Sequence, residues 1–102
     1  MSTPKGYIYA ELDVTDPTTF YEEYMSAVRP ILADYDARFL IATNDVKVIE
    51  GGRDVKRIIL LEFDSPETAH AFFYSKAYQD ILDLRLKSSS AHLYHLDGVT
   101  KE

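Results

Sequence analysis

The chain of 102 residues contains no cysteine. It therefore has no disulfide framework, no thiolate nucleophile and no cysteine-based metal site. No apolar run approaches the roughly 20 residues that a membrane-spanning helix requires, and residues 1–5 lack the apolar stretch of a secretory signal. These absences predict a cytoplasmic protein with no membrane partner.

Basic residues are also scarce, because 11 lysines and arginines face 17 aspartates and glutamates, for a net charge of −6. Lys56 and Arg57 are the only adjacent basic pair. Proteins that bind nucleic acid use clustered cations to displace the counterions of the phosphate backbone. The charge pattern therefore predicts no nucleic-acid partner, and the acidic excess is typical of a solvated surface.

What the chain does have is a high apolar content, 46% of its residues, which is enough for a folded core. A chain of this length forms one domain. We therefore assign residues 1–102 to a single domain, with its core at about residues 6–99.

The segment 6–14 alternates strictly between two kinds of side chain, which is typical of a half-buried strand. One face of this strand carries Ile8, Ala10, Leu12 and Val14, and the other carries Tyr7, Tyr9, Glu11 and Asp13. The sequence therefore predicts a sheet with one face against a core and a second face rich in tyrosine.

Two helical regions follow hydroxyl or carboxylate residues that precede a proline, Asp16-Pro17 and Ser65-Pro66. Such residues cap the free amides of a first helical turn, and proline fits the position after them. Pro30 interrupts the first region, but the apolar spacing continues to Tyr35. We therefore expect a kink at Pro30 with Ile31 and Tyr35 still buried, and a second cap at Ser75 within the second region.

Three further strands are predicted, at 38–43, 56–64 and 91–97, and the first of them is extended by a hairpin arm at 46–49. The element order is strand, helix, strand, strand, helix, strand. This order predicts an α+β fold of the ferredoxin-like split βαβ type, a four-stranded antiparallel sheet with its helices on one face.

The second face of that sheet would carry Tyr7, Tyr9, Ile58 and Leu60, which is too apolar a surface to leave in water. Two such sheets can cover each other face to face across a two-fold axis. We therefore predict a homodimer held together through the sheet faces, with an interior between them.

Several segments of the chain also resemble one known family, the domain of unknown function 1330. The resemblance rests on residues 6–17 (GYIYAELDVTDP), 38–41 (RFLI), 48–51 (VIEG), 61–65 (LEFDS) and 97–99 (DGV), and on Ser75, Tyr78-Gln79 and Leu84-Arg85. It implies a dimeric α/β barrel, in the superfamily of antibiotic-biosynthesis-type monooxygenases, muconolactone isomerases and chlorite dismutases. The chain departs from the family where Asp36-Ala37 replaces a Gly-Gly pair, Ala42 replaces an arginine, and Phe72-Phe73 replaces a Trp-Tyr pair.

Glu62 is the sharpest candidate for chemistry, because it lies in the most apolar segment of the chain. Partial desolvation would raise its pKa and suit a general acid or base. The structural alternative is an ion pair with Arg38 or Arg85 that stabilises the fold or the dimer. A further role for either arginine is to bind a substrate carboxylate through its planar guanidinium. The expected hydrogen-bond partners of Glu62, in order, are Arg85, Arg38, Tyr9 and His92.

His92 and His95 lie three residues apart on the last strand, so they are expected to face opposite sides of the sheet. This spacing argues against a metal site, and His70 is far in sequence from a carboxylate that could complete one. We predict no metal and no cofactor. One of His92 and His95 should face the interior, as a proton carrier or as an ordinary half-buried residue.

Tyr7 and Tyr9 suit either the wall of a pocket for a small organic molecule or a dimer interface. The functional hypothesis is a dimeric barrel with an interior cavity for such a molecule, where cofactor-free proton transfer or oxygenation takes place. Its alternatives are a non-catalytic ligand-binding or effector module and a purely structural dimerisation module.

Overall fold

The computed structural model describes residues 4–99, which form four strands and four helical segments. In chain order these are β1 (Gly6–Val14), a π-helix (Thr18–Tyr24), α1 (Met25–Asp34), β2 (Arg38–Thr43), β3 (Arg57–Phe63), α2 (Pro66–Phe73), α3 (Lys76–Ser88) and β4 (Ser89–Asp97). No helix within this range is long and apolar enough to cross a membrane.

The strands form one sheet in the order β2-β3-β1-β4, and every neighbouring pair is antiparallel. The predicted ferredoxin-like α+β fold is thereby confirmed. Alternation decides which face the helices cover, because the buried residues of β1 and β3 all point the same way. These residues are Ile8, Ala10 and Leu12 on β1 and Ile59, Leu61 and Phe63 on β3, and they form one core with the helices.

Side-chain caps begin the helical regions where the sequence predicts them. The carboxylate of Asp16 accepts hydrogen bonds from the amide and hydroxyl of Thr19, at 3.3 and 2.7 Å. The hydroxyls of Ser65 and Ser75 accept from the amides three residues ahead, both at 3.1 Å. The second region is therefore two helices, because the cap at Ser75 starts a new one.

Pro30 lies inside α1 without ending it, as predicted, and the helix continues to Asp34. Ile31 and Tyr35 pack against the core but stay half-buried, whereas Leu32 is 4% exposed. The expectation that Ile31 and Tyr35 are buried is therefore met only in part.

Asp36 follows α1 with a φ of 54°, in the left-handed region. The amide of Asp36 donates to the carbonyl of Ala33, and the amide of Ala37 donates to that of Leu32, as is usual where a helix ends in a left-handed residue. Glycine adopts this conformation without strain, which accounts for a glycine at the position of Asp36 in the family that the sequence resembles, but not for one at Ala37.

The hairpin arm predicted at 46–49 is wrong, because residues 44–56 contain no strand. Gly51 and Gly52 have φ values of 104° and 66°, conformations that turn the chain out of an extended path. Val48 and Ile49 are 43% and 93% exposed, so the end of the predicted arm buries little apolar surface. An ion pair between Arg53 and Glu11 instead connects the loop to β1.

Candidate functional site

The sheet face turned away from the helices, here called the open face, carries most of the residues singled out in the sequence. Register places Tyr7 and Arg38 on either side of Glu62, and places Tyr9 between Leu60 and Tyr94. The rings of Tyr9 and Tyr94 stack with centroids 6.0 Å apart. The open face therefore joins a carboxylate cluster to an aromatic and aliphatic surface.

Two side chains donate hydrogen bonds to the carboxylate of Glu62, whose side chain is 19% exposed. The Nε of Arg38 donates to Oε1 at 2.9 Å, and the Tyr7 hydroxyl donates to Oε2 at 3.1 Å. Arg38 also donates to Asp64 at 3.1 Å. The hydrogen bond from Arg38 lowers the pKa of Glu62, and this effect outweighs the partial burial that raises it. The expectation of a raised pKa is wrong, because the charged partner stabilises the carboxylate.

Arg85, expected first among the partners of Glu62, lies on the other side of the sheet. It belongs to α3 and is only 7% exposed within the helical layer. Strand alternation puts Glu62 on the open face, so these two side chains are separated by the sheet itself. Arg38, the second expected partner, is the one that pairs. Tyr9 does not reach Glu62 and bonds to Glu11 at 3.1 Å instead.

His92 and His95 face opposite sides of the sheet, as predicted. His92 lies on the open face across from Glu11. His95 lies on the helix side, where its ring stacks on that of His70 with centroids 4.1 Å apart. Burial lowers the pKa of His95, and the neighbouring His70 lowers it further. Within residues 4–99 no group of three or more His, Asp or Glu side chains is placed to hold a metal ion.

A cavity lies between the sheet and the helices, on the side opposite Glu62. It holds about 50 Å³, and all four strands, the π-helix and all three α-helices contribute to its walls. Most of the lining is aliphatic or aromatic, and the polar groups are Tyr24, Tyr78 and Arg85. We call this space the helix-side cavity.

The polar groups of the helix-side cavity are hydrogen-bonded to each other. The hydroxyl oxygens of Tyr24 and Tyr78 are 2.8 Å apart, and the Nε of Arg85 donates to the Tyr78 hydroxyl at 3.2 Å. Burial, together with the neighbouring Tyr78, raises the pKa of Tyr24 well above its ordinary value. Tyr24 is therefore a neutral phenol that can donate a hydrogen bond.

The family model for a domain of unknown function, DUF1330, matches residues 5–99 of this chain. The chain belongs to the DUF1330 family. This match confirms the resemblance seen in the sequence motifs. No curated protein matches the sequence significantly.

Solved structures share the fold of this DUF1330 protein. A protein of unknown function from Rhodopseudomonas palustris matches with a TM-score of 0.75 at 9% identity, covering 96% of this chain and 85% of that one. The cofactor-independent oxygenase SnoaB from Streptomyces nogalater matches with a TM-score of 0.63 at 10% identity, covering 98% and 97%. A dimeric ferredoxin-like protein of unknown function from Thermobifida fusca has a TM-score of 0.61 at 10% identity, covering 93% and 92%. At these identities the likeness shows the fold alone.

Sequence reasoning about this DUF1330 protein missed the tyrosine pair of the helix-side cavity. Tyr24 and Tyr78 occupy apolar positions of helical patterns, where they count as ordinary core residues. The one available signal is chemical, because a buried tyrosine hydroxyl needs a hydrogen-bond partner. Tyr24 also ends a π-helix, an element that is rare in proteins and frequent at functional sites.

The ion pair at Glu62 predicts a specific pH dependence of stability. Arg38 lowers the pKa of Glu62 in the folded protein. The ion pair of these two residues therefore stabilises the fold fully above the ordinary glutamate pKa of 4.5, and this stabilisation is lost as the pH falls through the lowered pKa. In Glu62→Gln this loss is absent. The free energy of unfolding should therefore fall less steeply in the variant than in the wild type when urea titrations are run from pH 6 to pH 3.

The control for this experiment is Glu22→Gln, because Glu22 is exposed on the π-helix. Its pH profile should follow that of the wild type. Parallel profiles for Glu62→Gln and the wild type below pH 4.5 would contradict the assigned ion pair.

Proposed function

We propose that this protein is a homodimer in which each protomer binds one small, largely apolar organic molecule in the helix-side cavity. The observation that carries this proposal is an apolar space whose polar groups, Tyr24, Tyr78 and Arg85, are hydrogen-bonded together. Ligand sites typically combine apolar walls with a few polar groups that fix the orientation of the ligand.

The open face supports the homodimer. Ile41, Tyr94 and Leu96 lie on it with 43%, 45% and 45% of their surfaces exposed, next to the stacked ring of Tyr9. An exposed apolar surface of this kind marks an interaction site. A second copy of this chain presents the same surface, so a dimer with a two-fold axis covers the open face of both copies. A dimeric ferredoxin-like protein from Thermobifida fusca has the same fold.

The residues expected at the ligand site lie on two different sides of the sheet, so we assign them to two different roles. Glu62, Arg38, Tyr7, Tyr9 and His92 belong to the open face, and we assign them to the subunit interface. Of the expected site residues, Arg85 lines the helix-side cavity, whereas His95 packs on His70. The glutamate therefore acts in the proposed dimer as half of an ion pair, not as a general base.

The reaction type that we propose for the cavity is cofactor-free, either oxygenation of the bound molecule by dioxygen as the oxidant or proton transfer from the bound molecule. A guanidinium and tyrosine hydroxyls in an apolar space stabilise negative charge that develops on a ligand oxygen. SnoaB, which shares this fold, is a cofactor-independent oxygenase. The cavity lining contains no carboxylate or imidazole among residues 4–99, so Arg85 and the two tyrosines would stabilise the negative charge, and a solvent water molecule would accept the proton released from the ligand.

Ligand binding is tested by thermal shift with a panel of small aliphatic and aromatic compounds. A compound at 100 times its Kd stabilises a protein by about 2.7 kcal/mol, so we expect at least one saturable rise in Tm. Ala10→Val adds two methyl groups to the wall of a cavity of about 50 Å³. This variant should bind the same compound at least tenfold more weakly.

Ala33→Leu is the matched control, because Ala33 is exposed on α1 and added carbon there leaves the cavity unchanged. It should bind as the wild type does. The proposal fails if no compound gives a saturable shift, or if Ala10→Val binds as tightly as the control.

A further inference from the structure

We infer that the ligand of the helix-side cavity is a small organic carboxylate whose negative charge is bound by Arg85, with Tyr24 and Tyr78 as additional donors. This inference rests on the proposed function and names the chemical class of the ligand. It follows from three properties of the cavity: an uncompensated charge, a surplus of donors, and apolar walls of limited volume.

The first property is the charge of Arg85. Its side chain lies in the interior with 7% of the residue exposed. Within residues 4–99 no carboxylate lies within 4.0 Å of its guanidinium, and its one side-chain hydrogen bond goes from Nε to Tyr78. Arginines with so little exposed surface usually have a partner of opposite charge, and the terminal nitrogens of Arg85, which keep contact with solvent, have none among residues 4–99. An anionic ligand would supply that partner.

The second property is the surplus of hydrogen-bond donors. Tyr24 and Tyr78 share one hydrogen bond between their oxygens, so only one of the two hydroxyl protons is used in it. The other proton has no acceptor among the described residues, and the terminal nitrogens of Arg85 can only donate. The free protons of this group, one on a hydroxyl and the others on the guanidinium, match a ligand group that only accepts, and a carboxylate is such a group.

The third property is the shape of the remaining space. Aliphatic and aromatic side chains form the rest of the lining, so the other end of the ligand is hydrocarbon. The volume of about 50 Å³ is well below the roughly 150 Å³ of a cavity that holds benzene. The size favours a short aliphatic carboxylate, and the planar guanidinium fits two carboxylate oxygens at once.

Matched pairs of compounds test the inference, because a carboxylate and its primary amide differ little in size and differ in charge. The pairs are acetate with acetamide and butyrate with butyramide, and benzoate with benzamide is a pair that should be too large for the cavity. Binding is measured by NMR titration of the full chain at constant ionic strength. At least one short carboxylate should bind ten or more times more tightly than its amide.

Arg85→Met should abolish the preference for the carboxylate, whereas Arg85→Lys should retain part of it. The control is Lys87→Met, which makes the same change in charge at an exposed position of α3 and should leave the preference unchanged. If Arg85→Met fails to fold, Tyr24→Phe replaces it, since that variant removes one donor and should lower carboxylate affinity about fivefold.

The outcomes separate the inference from the function on which it rests. Equal binding of acid and amide overturns the inference and leaves the ligand-binding function intact. Equal carboxylate affinity in the wild type and Arg85→Met, or in Tyr24→Phe where that variant stands in, overturns it as well. If no compound of any class binds in the cavity, the proposed function itself fails.

Discussion

The double variant Ile41→Glu with Leu96→Glu is expected to be a monomer at concentrations where the wild type is a dimer. Both positions lie on the open face, one on each outer strand of the sheet. In a two-fold dimer each new carboxylate enters the interface twice, without a designed partner. Buried unpaired charges cost several kcal/mol, so the dimer Kd should rise by at least about 1,000-fold, or roughly 4 kcal/mol.

Sedimentation equilibrium at about 10 µM checks this result, because the wild type should give twice the chain mass of 11.7 kDa and the double variant the chain mass itself. Leu86→Glu is the matched control, since Leu86 is 59% exposed on the helix side and should leave the dimer intact. A monomeric wild type, or a dimeric double variant, would show that the open face is not the interface.

Gly6→Ala should destabilise the protein more than any other single-methyl addition to its glycines. A Cβ at Gly6 would stand 2.5 Å from the Cα of Pro66 and closer still to the carbonyl oxygen of Ser65. Both are backbone atoms at the start of α2, so β1 and α2 would have to separate. Overpacking typically costs 1–3 kcal/mol, and we expect about 3 kcal/mol, a fall in Tm on the order of 15 °C.

Gly52→Ala provides the comparison for this experiment. No atom lies within 4 Å of a Cβ built there, and φ is +66°, so its cost is backbone strain alone, about 1 kcal/mol. Thermal melts of the two variants under identical conditions measure the difference. Equal Tm values would mean that β1 and α2 can move apart freely.

The fold could be predicted because its signals are local. Alternation in residues 6–14 specifies which side chains of β1 meet the helices, and the caps at Asp16, Ser65 and Ser75 specify where helical regions begin. The wrong hairpin arm at 46–49 shows the limit of such signals, because these four residues pair with no strand of the sheet and an isolated short strand is marginally stable at best.

The candidate site was harder to predict because it depends on contacts between distant residues. The pairing of Glu62 with Arg38 follows from the register of β2 against β3, which the sequence leaves open. The side on which Arg85 lies depends on the rotation of α3, and the tyrosine pair depends on a π-helix that shifts Tyr24 relative to an α-helical register. The cavity itself is a space that eight elements of the fold leave unfilled between them.

Strand β1 contributes to both surfaces to which we assign a role, with Ile8, Ala10 and Leu12 under the helices and Tyr7 and Tyr9 on the open face. A substitution at one of these positions changes one surface and leaves the other untouched. A one-residue insertion or deletion within β1 exchanges the two sets, because each later side chain moves to the opposite face. If the two proposed roles hold, substitutions can change the ligand contacts and the subunit contacts independently, whereas a change in the length of β1 alters both at once.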